Sequence, residues 1–176
     1  MLRWSQIVND GKYKVLRIND SWNEKEKHAN GHLKSRVPGG FRLTLPLSEP
    51  LLQLLEVFQR RQKEFLWEHD LSNYNDLIVL NITDYNSCSL GYPISQRSMN
   101  EMLKNICEKV GVKNGNLGIS MYTCRHTCAT KLGNTPGMSY PWAAGRLGHS
   151  VKTFMRTYVH VDEDRNEEML KLITKK

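Results

Sequence analysis

Apolar positions along the chain change period several times, and each change marks an element. Tyr13, Val15, Leu16 and Ile18 alternate with polar residues between Lys12 and Asn19, which predicts a strand following a turn at Asn9, Asp10 and Gly11. Trp22 opens a second strand. The polar stretch Asn23 to Gly31 reads as a loop or hairpin tip, and Pro38, Gly39 and Gly40 lead into a strand from Phe41 to Leu47. Helical spacing then takes over. Ser48 caps a helix with Pro50 in its first turn, whose buried stripe is read as Leu51, Leu54, Leu55, Phe58, Phe65 and Leu66. Leu77 to Ile82 is a short apolar run, read as extended. Ser95 to Val110 is an amphipathic helix with Ser98 and Glu101 as a capping box and Gly111 as its stop.

The last third carries three more helices. Apolar and small residues recur at helical spacing around Arg125, with Leu132 one turn beyond Cys128 and a stop at Gly133 and Asn134. Gly148 ends the next helix, His149 follows as an exposed residue, and Ser150 caps a short helix carrying Thr153, Phe154 and, near its end, Tyr158. Met169, Leu170, Leu172 and Ile173 behind an acidic start predict a short amphipathic helix between Asp162 and Lys176. The fold class is therefore α+β, mainly helical with a small antiparallel β-sheet at one edge. Internal repeats, heptads and low-complexity tracts are not visible.

Length and charge narrow the partners. A chain of 176 residues is most simply one domain with a real core. No apolar run approaches the roughly twenty residues of a membrane span, and the N-terminus lacks the order of a signal peptide. The expected location is cytoplasmic. Lys and Arg number 25 against 18 for Asp and Glu, a net charge of +7, which favours a polyanion. Cys88, Cys107, Cys124 and Cys128 show no CxxC spacing and are read as reduced thiols, Cys124 and Cys128 as buried beside Ala129 and Leu132. Neither a metal nor a cofactor is called for.

Arg125, His149 and Tyr158 carry the chemistry. Taken singly they are ordinary: a surface ion-pair partner, a loop residue and a half-buried aromatic. Taken together they suit phosphoryl transfer, which needs an in-line nucleophile and donors on oxygens that gather negative charge. A guanidinium meets two phosphate oxygens at once and never deprotonates, and a histidine adds a further donor. A tyrosine hydroxyl, once its proton is removed, leaves a phosphodiester-like ester that conserves bond energy and permits rejoining without ATP. Tyr140 and Tyr74 lack such partners and are read as packing or surface residues.

The order Tyr122 to Ala129, then Leu147-Gly148-His149-Ser150, then Tyr158 nine residues after His149 resembles the tyrosine recombinases of the phage integrase family. Their pattern is HisXxxXxxArgHisThr, LeuGlyHisSer and a tyrosine at that interval. The resemblance implies DNA strand exchange for a mobile element through a 3′-phosphotyrosyl intermediate, on double-stranded DNA, in a homotetramer of the full-length protein, with no membrane and no small-molecule substrate. It implies roles for Tyr158 as nucleophile, and for Arg125 and His149 on the phosphate. Lys34, in the Lys34-Ser35 pair ahead of Pro46-Leu47, would protonate the leaving 5′ oxygen. Tyr122 stands where the family has histidine. It shares a helix face with Arg125 but is not a ready proton acceptor near neutral pH, which leaves the acceptor of the Tyr158 proton open. His126, about 100° further round the helix, is expected to face elsewhere.

Residues 1 to 7 resemble the segment after the family's first catalytic box, whose GlyXxxArgXxxXxxGlu-like motif is not found here. Arg3 is not promoted to that role. Residues 1–176 are thus expected to be a catalytic domain lacking its N-terminal part, with its first arginine, and any N-terminal DNA-binding domain. Losing one preorganised donor costs ~10²-fold to 10³-fold in rate, so weak or no cleavage is expected of this chain alone. Two alternatives share parts of this pattern. A type IB topoisomerase would relax supercoils by the same chemistry, and an inactive DNA-binding remnant or regulator would bind DNA with steep salt dependence and form no adduct.

Overall fold

The computed structural model describes residues 1–33, 40–112, 118–160 and 163–174. It divides into two compact units, Met1–Asn105 and Ile106–Lys176.

In the first unit, a short 3₁₀ turn, Trp4–Gln6, leads into β1, Ile7–Asp10, which turns at Gly11 and pairs antiparallel with β2, Tyr13–Ile18. The strand runs through Asn9 and Asp10, residues expected in the turn; Gly11, with φ +59, takes the left-handed corner instead. β3, Trp22–Asn23, and β4, His28–Ala29, form a separate hairpin. The expected strand from Phe41 to Leu47 is regular only as β5, Arg42–Leu43, on the other edge of β2. Thr44 and Leu47 still donate to the Leu16 and Lys14 carbonyls. The Arg3 guanidinium is committed to Asp20 at 3.1 Å, in keeping with a structural role.

Helix α1, Glu49–Glu68, starts after Ser48 as expected, but its buried positions are Gln62 and Leu66. Leu51 and Leu54 are exposed. The inward register is set by Gln62, whose amide accepts from Trp4 Nε1 at 3.0 Å and donates to the Leu77 and Ile78 carbonyls. A buried amide is tolerated there because its bonds are made. Leu66 packs with Leu77, Leu80 and Cys88. The run 77–82 is a turn held by isolated bridges, Arg3 to Leu77 and Leu80 to Pro93, rather than a strand. Helix α2 is Tyr85–Ser89. Helix α3, Gln96–Lys109, is one turn offset from its expected cap: the Ser95 hydroxyl accepts from Ser98 N, and Glu101 pairs with Arg97 at 2.9 Å.

The second unit is helical: α4, Met121–Gly133; α5, Tyr140–Leu147; α6, Val151–Tyr158; α7, Glu163–Thr174. Its core is Ala129, Ala143, Ala144, Leu147, Phe154 and Tyr158, with Leu132, Met138, Tyr140 and Val159 packed around them. Small residues on α4 and α5 let the aromatic rings of α6 lie between the helices. Cys124, expected inside, is exposed, and Cys128 is half-buried. On α7, Leu170 and Ile173 are exposed. Among the described residues no helix is long and apolar enough to cross a membrane.

Candidate active site

Three helix termini bring the site residues together. Ser120 caps α4, its hydroxyl accepting from Thr123 N while Thr123 Oγ1 accepts from Ser120 N, so the helix begins one residue ahead of Tyr122. Arg125 falls in its second turn. Gly148 ends α5 in the left-handed region at φ +68, and the His149 N–H donates back to the Ala144 carbonyl at 2.9 Å. That six-residue turn aims the His149 ring at α6. Ser150 then caps α6 through Thr153 N at 3.1 Å, and Tyr158 is the last residue of that helix.

Arg125 and His149 meet directly. Arg125 Nη2 donates to the Leu147 carbonyl oxygen and lies 2.7 Å from His149 Nε2. A guanidinium only donates, so Nε2 is the acceptor and the imidazole is in the tautomer that leaves Nε2 bare. His149, expected to be exposed, is half-buried, its ring against that of Tyr158: the rings are nearly parallel at 14°, with centroids 5.4 Å apart.

Tyr158 is only 3% exposed. Phe154, one turn back, approaches its ring at 5.7 Å, and His126 of α4 stands at 5.2 Å, tilted by 55°. Burial pushes the phenol's pKa above its ordinary value. Tyr122, once ionised, adds to that, and the Arg125 guanidinium opposes it. Both therefore act on the hydroxyl electrostatically. Tyr122 itself is 62% exposed, its ring set edge-on against His126 at 4.3 Å.

His126 corrects the sequence reading. Its 100° offset takes it off Arg125's line, but residue i+4 shares a face with residue i, and Tyr122 is that residue. The imidazole thus sits in contact with both tyrosines. The Tyr122–His126 spacing was the available signal. Tyr74 is exposed and Tyr140 packs on Phe154 at 6.2 Å, so neither joins the cluster. Lys34 lies outside the described residues. No group of three His, Cys, Asp or Glu side chains among the described residues is arranged for a metal ion.

An arginine, two imidazoles and a buried phenol at the ends of three helices, on a mostly helical fold with small antiparallel sheets, describe the catalytic domain of a tyrosine recombinase. The chain belongs to the phage integrase family, whose model matches residues 1–165. Its fold is shared with the Tn1549 transposon integrase solved with transposon right end DNA, at 16% identity and a TM-score of 0.65, over 98% of this chain and 52% of that one. XerH, a site-specific recombinase solved with its difH substrate, gives 19% and 0.61 over 98% and 41%, and XerA recombinase 18% and 0.56 over 99% and 51%. The chain spans about half the length of these solved proteins or less. No protein of curated function matches it.

Proposed function

We propose that this chain performs DNA strand cleavage and rejoining in site-specific recombination or integration of a mobile element. The observation that carries the reading is the meeting of Arg125, His149 and Tyr158, with Arg125 Nη2 already 2.7 Å from His149 Nε2. Tyr158 Oη attacks the scissile phosphorus, the new O–P bond forms as the bond to the 5′ oxygen breaks, and a 3′-phosphotyrosyl ester results. Arg125 spreads its donors over the non-bridging oxygens. His149, once protonated on Nε2, adds another donor. Lys34 supplies the proton that the 5′ oxygen takes as it leaves.

Burial keeps the phenol protonated, so a base has to receive its proton. With His149 Nε2 accepting from Arg125, His126 is the base this reading assigns. Tyr122, in the family histidine's position, holds His126 by its ring edge. Residues 1–176 are on this reading the tyrosine-bearing part of the catalytic domain, with a first arginine supplied by a preceding segment. The partner is double-stranded DNA and the assembly a homotetramer on it, working in the cytoplasm at the nucleoid. The XerH and Tn1549 integrase structures in complex with DNA support that partner.

The test is trapping. Nicked duplexes randomised around the nick let the cleaved strand diffuse away, so each attack leaves a covalent protein–DNA band on a denaturing gel. The band is expected from the wild type over long incubations, to vanish in Tyr158→Phe, and to fall ~10²-fold to 10³-fold in Arg125→Ala. In His126→Phe, which keeps a ring and removes the base, a fall of ~10²-fold to 10⁴-fold is expected. Salt-dependent duplex binding with no Tyr158-dependent band would favour the regulator reading, and relaxation of supercoils without any preferred site would favour the topoisomerase.

A further inference from the structure

A nucleophile at a helix terminus needs its backbone held, because the last turn of a helix has carbonyls with no partner in the helix and tends to fray. Tyr158 is in that position. Its backbone abuts the far end of α4. A Cβ built on Gly133 would stand 2.4 Å from the Tyr158 carbonyl oxygen and 2.9 Å from its carbonyl carbon. Both are backbone atoms, so no rotamer change relieves the clash; a side chain at 133 has to push the end of α6 away.

The next residue adds polar contacts. Asn134 caps α4, its Nδ2 donating to the Thr130 carbonyl at 3.0 Å and lying 3.5 Å from the Tyr158 carbonyl oxygen. Its Oδ1 accepts from His160 N at 3.3 Å. One side-chain amide thus bridges the carbonyl of the tyrosine and the N–H two residues on, much as a neighbouring strand's peptide would. Both bonds to the 158–160 segment are long, so their energy is small. They fix register more than they add stability.

We propose that Gly133 and Asn134 form a seat that positions Tyr158 for attack, a role that rests on the reading of Tyr158 as the nucleophile. Arg125 stands eight residues before Gly133 on the same helix, about 12 Å along a rigid axis. Helix α4 therefore acts as a spacer, holding the phosphate clamp at one point and the nucleophile's backbone at another, while the phenol reaches back to the His126 and His149 rings. The glycine serves close approach rather than a turn.

The experiment compares the full chain with Gly133→Ala and with Asn134→Leu, which keeps bulk and removes both bonds to the 158–160 segment. Melting temperature and duplex affinity report folding, and the single-turnover rate of adduct formation at saturating nicked duplex reports positioning. The expected result is a folded protein that melts only a few degrees lower and keeps its duplex affinity, with the rate falling about 10²-fold, the usual effect of misplacing a reacting group by an ångström. A phenolate absorbance titration, read as the difference from Tyr158→Phe, needs no activity. Released from its seat, Tyr158 regains water and ionises at lower pH than in the wild type. Wild-type rates and titrations in both variants overturn the seat, as does a rate loss that only follows loss of folded protein or of DNA affinity. A wild type that forms no adduct overturns the reading of this chain as one that cleaves DNA through Tyr158, and with it the positioning role, whereas an adduct in the wild type with unmoved variants overturns the seat alone.

Discussion

Two demands conflict at Tyr158. Packing wants the ring inside, against Phe154, His126 and His149, whereas attack wants an ionisable hydroxyl near a phosphate. Packing dominates in the DNA-free state, since burial is the largest cause of the raised pKa and the Arg125 charge only partly offsets it. The consequence for stability has a definite sign. The folded chain holds the Tyr158 proton more tightly than the unfolded chain, so the contribution is intact below the ordinary tyrosine value of about 10 and is lost as pH climbs from there through the folded value. Denaturant unfolding followed from pH 8 upward is expected to show a fall in stability beyond pH 10 that is smaller in Tyr158→Phe. Equal slopes in the two proteins would mean that the hydroxyl is hydrated in solution. On the proposed reading, the same burial is why an imidazole beside the phenol matters: within the physiological range a phenolate is too rare to act unaided.

At the level of elements, the second unit is organised by what α6 inserts between α4 and α5. Phe154 is fully buried in the cluster with Ala129, Ala143, Ala144 and Leu147. Phe154→Ala is expected to cost about 3–5 kcal/mol, because alanines around it cannot collapse into the space it leaves. Thermal or denaturant unfolding measures this, and a loss below about 1 kcal/mol would show that α6 is not anchored by that ring. Much of this was legible in sequence, because local signals sufficed: Ser150 as a cap, Gly148 as a left-handed stop and Tyr158 at a helix end depend on near neighbours only. What was not legible depended on distant ones. Gln62 turns inward because Trp4 and the carbonyls of Leu77 and Ile78 meet it there, so the stripe drawn through Leu51 and Leu54 misses the buried face. His126 was misjudged for a related reason: its offset from Arg125 was weighed without the tyrosines on either side. Gly133 read as a helix stop, while its missing side chain makes room for a backbone 25 residues later in sequence.

For the whole molecule, the net charge of +7 is an average that local pairing redistributes. Arg3 is held by buried Asp20, Arg97 by Glu101 and Lys171 by Glu167, so these cations are partly neutralised before the proposed partner, DNA, arrives. Arg125 is different in kind. Its partners, the Leu147 carbonyl and the His149 ring, carry no negative charge to cancel its own, so a phosphate gains the full attraction. Binding to a duplex releases condensed counterions, and each phosphate neutralised contributes about −0.9 to the slope of log affinity against log salt. Six or more contacts would therefore weaken binding ~10³-fold or more between 50 and 200 mM salt. Within that steep dependence, Arg125→Ala is expected to make the slope shallower by about one, Arg97→Ala by less, and Tyr158→Phe not at all, since the phenol carries no charge to exchange. Fluorescence anisotropy of a labelled duplex across a salt series measures all four proteins. If Arg125→Ala leaves the slope at its wild-type value, the guanidinium does not reach a phosphate, and the clamp assigned to it must be sought elsewhere on the chain.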